Sequence, residues 1–367
     1  LSAALVLVVI AAFAGVTWQW RRAEANLEAT RREHRRAEEN LAACRQILGQ
    51  FARLDTTFYA PDNKPDPETH LATLRIGSLE LAIKYYEDLL LREEVDLSLR
   101  EDMARAYQLR ALFYAETRQP DAKTRAAFEQ ALARYRELAE AHPGAADDEY
   151  EWSLTCYELG TYLCDHGCAA EALAAHELAG RRLRPLVGEH PDNPRYKKLL
   201  GMTLYHSGRD QARLDRPDAA RASYLEAAAR FRELAEEFPK VPAYQRDLAA
   251  SYHNVGDLYH DAGAFAEAEP FYRQALPIRE KLRRDHPEHL NYLGDESGTR
   301  FRLGTVLERL GRRDEALAAY QQSLDQAREL LQKHPDKATY RDRLAERRDA
   351  LARLGHDPDG TAQGPKP

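Results

Sequence analysis

Cys164-Asp165-His166-Gly167-Cys168 is the densest group of thiol and imidazole side chains in the sequence, with His176 further along. Such ligands suit zinc, but a structural zinc site takes four, commonly from two Cys or His pairs two to four residues apart. The second pair is missing, and Gly167 reads as the turn between two helices. Small residues at a tight connection therefore account for the cluster. A small metal-site enzyme built on Cys164, His166 and Cys168 is the alternative, and a disulfide is a lesser option. His142, His190, His286 and His334 each precede a proline. They recur at one phase of a repeat, so they mark a turn and do not make a shared metal site.

No other chemistry is legible. The sequence has no Walker loop, Gly-x-Gly-x-x-Gly, His-Glu-x-x-His or Gly-x-Ser-x-Gly, and no kinase catalytic-loop or magnesium motif. No catalytic residue, cofactor or metal is assigned, and the chain is expected not to be an enzyme. A formal net charge of −7 gives no basic footprint, so a nucleic-acid partner is not expected. Four cysteines in 367 residues are too few for a disulfide scaffold. The prevalence of Ala, Leu, Glu and Arg favours helices throughout.

A repeat has to position whatever side chains matter. Pro143, Pro191, Pro239, Pro287 and Pro335 are spaced by 48 residues each time. The same grid carries Gly160, Gly208, Gly256 and Gly304, then Ala172, Ala220, Ala268 and Ala316, and Leu138, Leu186, Leu234, Leu282 and Leu330. Phe128, Tyr224, Tyr272 and Tyr320 share another phase, with His176 as the odd member. Each unit reads as two helices. Tyr252, Val255, Gly256 and Tyr259 make one face of the first, at helical spacing, and Gly263 ends it. Ala268, Tyr272 and Ala275 make the face of the second. The His-Pro or Phe-Pro step closes that helix, because proline disfavours helical backbone in the residue before it. A glycine inside a helix costs about 1 kcal/mol relative to alanine. Its recurrence predicts a close helix approach, with the alanine of the second helix facing it.

These residues resemble the tetratricopeptide repeat (TPR) pattern. Tyr252-x2-Val255-Gly256-x2-Tyr259 followed by Ala268-x3-Tyr272-x2-Ala275 matches W-x2-L-G-x2-Y and A-x3-F in spacing. So do Cys156, Leu159, Gly160, Leu163, Ala172, His176 and Ala179, and again Leu303, Gly304, Leu307, Ala316 and Tyr320. The period is 48 residues instead of 34, and residues 257–287 are similar to the long units of kinesin light chains. The resemblance implies an all-α, right-handed superhelical solenoid of antiparallel helix pairs. It also implies a concave groove for a protein or peptide partner, lined at the fifth motif position by Leu109, Tyr157, Tyr205, His253 and Phe301, with Arg209, Asp257 and Arg302 alongside. Packing between helices is the competing account of those aromatics. The Lys/Asn set of chaperone-type carboxylate clamps is absent there.

The expected organisation is a transmembrane helix (1–20), a charged juxtamembrane helix (21–50), and a linker with an N-terminal capping helix (51–94). Five repeat units (95–335), a C-terminal capping helix (336–355) and a disordered tail (356–367) follow. The apolar run from Leu1 to Val16, then Trp18, Trp20, Arg21 and Arg22, carries the membrane expectation: a single-pass protein, most readily of a bacterial inner membrane, continuing upstream of Leu1. Residues 15–25 with the architecture behind them resemble the C-terminal region of bacterial transmembrane Ser/Thr protein kinases. That resemblance implies a kinase domain outside this chain. A stand-alone envelope assembly or transport factor is the alternative.

Overall fold

The computed structural model describes residues 39–46, 70–90, 97–117, 119 and 121–356, with isolated positions 21, 22, 28 and 35. Twelve helices are named here: α1 (His70–Leu90), α2 (Leu97–Glu116), α3 (Asp121–Ala141), α4 (Ala146–Asp165), α5 (Ala169–Glu189), α6 (Pro194–Arg213), α7 (Pro217–Glu237), α8 (Pro242–Asp261), α9 (Phe265–Asp285), α10 (Leu290–Arg309), α11 (Arg313–Lys333) and α12 (Ala338–Arg353). Residues 39–46 are also helical. The chain divides into two compact units, residues 1–141 and 142–367.

In the first unit, Leu79, Ala82, Ile83 and Tyr86 of α1 pack with Met103 and Tyr107 of α2, Ala131 of α3 and Cys44. Tyr107 and Tyr114 donate to Glu87 and Glu80 of α1, and Tyr135 of α3 donates to Gln108 at 2.8 Å. Tyrosine hydroxyls thus carry polar contacts between apolar helix faces.

The second unit stacks four helix pairs and α12, each helix packing on its sequence neighbours. The turn within each pair needs one left-handed residue. Gly167, Gly263 and Gly311 supply it with φ of 81°, 76° and 77°, and Asp215 holds the equivalent place at φ 57°. Aspartate is among the few side-chain-bearing residues that adopt this conformation readily. Between pairs, the residue before each proline caps the second helix. His190, Phe238, His286 and His334 donate their N–H to Leu186, Leu234, Leu282 and Leu330 at 2.8–3.0 Å. Their own carbonyls then accept from the residue three further on, which closes the turn. Pro194, Pro217 and Pro242 open α6, α7 and α8 at a position where a helix has no use for the missing N–H.

The recurring glycine explains why the pairs fit. A Cβ on Gly256 would stand 2.8 Å from Cε1 of Tyr272; one on Gly208, 2.9 Å from Tyr224; one on Gly304, 2.7 Å from Tyr320; and one on Gly160, 2.6 Å from His176. What fills the space left by glycine is therefore the ring of the second helix. The nearest atoms there belong to these rings and not to the methyls of Ala172, Ala220, Ala268 and Ala316, each of which is fully buried. The tyrosine hydroxyls reach past the glycine to acids of the first helix: Tyr272 donates to Asp257 at 2.5 Å and Tyr320 to Glu308 at 2.6 Å.

One expectation is corrected. Among the described residues no helix is long and apolar enough to cross a membrane, so the fold is stated without a transmembrane helix and single-pass anchoring is set aside. The apolar run behind that expectation, within residues 1–20, lies outside the described residues, as do most of 21–50 and 51–69 and the tail after 356.

Two glycines inside helices separate packing from propensity. Gly256→Ala is expected to destabilise by about 1–3 kcal/mol, because the ring contact is overpacked. Gly298→Ala, in α10 with nothing near its Cβ, is expected to stabilise by about 0.5–1 kcal/mol. Urea unfolding of both variants checks this, and equal shifts would remove the ring-over-glycine account.

Candidate partner-binding face

In the second unit α4 touches α6, α6 touches α8 and α8 touches α10, whereas successive second helices make no comparable contact. The first helices therefore lie on the inner side of the stack. Side chains there recur at one phase, and several hydrogen-bond to the next unit. Tyr157 Oη lies 3.2 Å from Nε2 of His206, and Asn254 donates to Tyr205 Oη at 3.0 Å. Arg302 Nε stands 3.4 Å from Asp257 Oδ1, and His253 Nε2 is 3.4 Å from the other carboxylate oxygen. His253, Asp257 and Arg302 are thus one cluster.

The groove candidates separate by exposure. Tyr157 is 2% exposed, its ring edge-on to His206 at 5.2 Å, so it joins neighbouring units. Phe301 packs on Tyr320 at 5.4 Å and lies under the guanidinium of Arg347. Phe301 is nonetheless partly open, as are Tyr205, Arg209, His253, Asp257 and Arg302. Leu109 belongs to the other compact unit, where it packs against the α1–α2 cluster.

The open residues sit in a desolvated polar strip. Burial raises the pKa of Asp247, Asp257 and Asp295 and lowers that of His253 and Arg279. Arg279 donates to the Asp295 carbonyl at 2.7 Å and to Thr299 Oγ1. Arg209 differs from these cations. Its Nε and Nη2 are shielded from solvent with no hydrogen-bond partner among the described residues, and the same holds for Nδ1 of His206, one turn earlier.

Behind this strip lies a buried node that the repeat pattern does not mark. Asp210, fully buried, accepts from Nδ1 of His176 at 2.6 Å and from Sγ of Cys164 at 2.8 Å. Arg213 contacts the carbonyl and sulfur of Cys164 at 2.8 and 2.6 Å. Histidine in place of the repeat's tyrosine at 176 was the available signal. The Cys164–His166–Cys168 cluster does not converge: Cys164 points inward to Asp210, His166 Nδ1 bonds the Tyr162 carbonyl at 2.8 Å, and Cys168 lies at the surface turn. All four cysteines are free thiols. Burial and the Asp210 hydrogen bond push the Cys164 thiol up to about 11, and burial pushes Cys156 up to about 12. Neither is a reactive nucleophile.

Comparison with known proteins agrees with this architecture. The tetratricopeptide repeat family matches residues 248–288 and 302–336. No curated protein matches. BtubC (BKLC) from P. vanneervenii is similar in structure at TM-score 0.50 and 18% identity, over 82% of this chain and 96% of that one. Aspartyl phosphate phosphatase F from Bacillus subtilis matches at TM-score 0.50 and 14% identity, over 87% and 82% of the two chains. The apo form of RapI gives TM-score 0.50 and 14% identity, over 88% and 83%. At such identities the likeness is one of fold. The chain is a TPR-like helical repeat protein. The resemblance to transmembrane kinases, read from residues 15–25 and the architecture behind them, is not supported by these comparisons.

Two measurements check the chemistry of the node and strip. In native protein Cys168 is expected to react with a thiol reagent well before Cys156 and Cys164, which should need unfolding; rapid labelling of Cys164 would contradict its burial. Burial first, then Arg209 and His176, holds the His206 pKa well below 6.5. The unfolded chain therefore takes up that proton first as pH falls, so the stability that neutral His206 contributes is complete above 6.5 and is lost below it. The melting temperature should fall between about pH 7.5 and about pH 5.5, and fall less in His206→Gln. Identical pH dependence in the two proteins would remove His206 as a source.

Proposed function

We propose that this chain is an interaction scaffold that holds a protein or extended peptide along the inner face of α4, α6, α8 and α10. The contacts are assigned to Tyr205, Arg209, His253, Asp257 and Arg302, with Tyr157 and Phe301 as their packed backing. Arg209 carries the reading. Its side chain is partly open on the inner face and its Nε and Nη2 have no acceptor among the described residues, so its charge is left for a partner's carbonyl or carboxylate. The ring of Tyr205 and the neighbouring His206 give that partner a flat surface, while Asp257 and Arg302, one unit along, add charges of both signs. A partner lying across two units thus meets a different polar group at each 48-residue step. No step of bond-making chemistry is assigned to the chain.

The test is peptide selection on the full chain from a random library, followed by affinity measurement for the enriched sequences. Arg209→Ala and His253→Ala are each expected to weaken binding about tenfold, roughly 1.4 kcal/mol. Arg216→Ala, on the turn between α6 and α7, is expected to leave it unchanged. Failure to enrich any sequence, or peptides indifferent to both groove substitutions, would overturn the assignment of this face.

A further inference from the structure

We propose that the turn His286-Pro287-Glu288-His289, between α9 and α10, binds a divalent transition-metal ion such as Zn2+ through two imidazoles and one carboxylate. The ligand atoms of these three residues lie within 4.8 Å of one another, the only such group of His, Cys, Asp or Glu among the described residues. Oε1 of Glu288 stands 3.8 Å from Nδ1 of His286 and 3.4 Å from Nε2 of His289. A tetrahedral ion with bonds of about 2.0–2.1 Å holds neighbouring ligand atoms about 3.4 Å apart. The three donors are therefore already near the spacing that coordination requires.

The backbone under them is fixed by the repeat. His286 caps α9, donating its N–H to Leu282 at 3.0 Å, and His289 caps the start of α10, its N–H bonded to the His286 carbonyl at 3.1 Å. Both rings lie against Tyr292, at 5.9 and 5.5 Å between centroids, which restrains their rotamers. The corresponding turns carry other side chains: Gly144 and Ala145 after His142-Pro143, Asp192 and Asn193 after His190-Pro191, Lys240 and Val241 after Phe238-Pro239, Asp336 and Lys337 after His334-Pro335. The backbone pattern thus recurs after His190, Phe238 and His334, while the first turn departs from it with Gly144 at φ 85°, and a two-histidine, one-carboxylate set is presented once. Ring placement, not burial, pre-organises the site, and the side chains lie near the surface, so an ion reaches them without a large desolvation cost.

Two imidazoles with a carboxylate leave a fourth position for water or for a ligand from another molecule. The bound ion would staple the end of α9 to the start of α10. The turn is separate from the inner-face residues, so this inference stands or falls independently of the groove assignment.

The test is calorimetric titration of Zn2+ into the full, metal-stripped chain near neutral pH, with Co2+ absorption as a report on ligand type. One ion per chain is expected, with no thiolate-to-cobalt charge-transfer band. His286→Asn and His289→Asn are each expected to weaken binding at least tenfold and Glu288→Gln by less, with circular dichroism unchanged. Cys168→Ser and His166→Asn should leave binding as it was. The proposal is overturned by no stoichiometric binding, by binding that survives the His286→Asn/His289→Asn double variant, or by a thiolate band that Cys168→Ser abolishes.

Discussion

In the second compact unit, each first helix lies close to its second helix because a ring occupies the space a side chain would take. With a Cβ at Gly160, Gly208, Gly256 or Gly304 the ring of His176, Tyr224, Tyr272 or Tyr320 would have to move. Four glycines give up helix propensity, about 1 kcal/mol each, for four buried rings. Burying an aromatic side chain is worth more than that, and the pair gains a fixed separation as well. The buried alanines beside the rings and the regular stacking of pairs all presuppose that separation. Because each pair buries its faces only against neighbours, the energetics are those of a linear array.

That regularity frees other positions to differ. Where tyrosine becomes histidine at 176, the shorter ring meets Asp210 of the next unit, and a buried node including Cys164 forms. At Glu296, where the equivalent residues are Leu200 and Leu248, a fully buried carboxylate is held by Arg283, Arg300 and Gln326 at 2.5–2.8 Å. A buried charge is tolerable when several donors surround it. The turn at 286–289 is a third departure, outside the core, where changing side chains costs the packing nothing.

On the inner face the residues proposed to contact a partner also serve the packing between units. Tyr157, chosen with Tyr205, His253 and Phe301 by phase alone, is buried between units, while the other three are only partly buried. A hydroxyl that bridges units also orients the neighbour that remains available: Tyr205 accepts from Asn254, next to His253. The polar groups left partly open are held in a strip where burial disfavours their charged forms, so contact with the proposed partner's opposite charge or dipole would be strengthened by the low local dielectric.

The sequence by itself determined the all-helical class, the 48-residue period, and the helix limits set by proline and glycine, because backbone preferences at Pro239, Gly263 or Pro287 act locally. It also marked the glycine phase as a close approach. Only the tertiary structure decided what approaches: a ring sixteen positions on, not the alanine, since side-chain reach across a helix pair is not encoded in spacing. The Asp210 node, the orphaned N–H groups of Arg209 and the cluster at 286–289 were likewise decided in three dimensions. The first two depend on which rotamers neighbouring units tens of residues away leave possible, whereas the 286–289 set is contiguous and needed only the turn and Tyr292 to bring its donors together. The membrane helix read from residues 1–20 rested on an apolar run with tryptophan and arginine flanks; no helix among the described residues is long and apolar enough to span a membrane, and the run itself lies outside them.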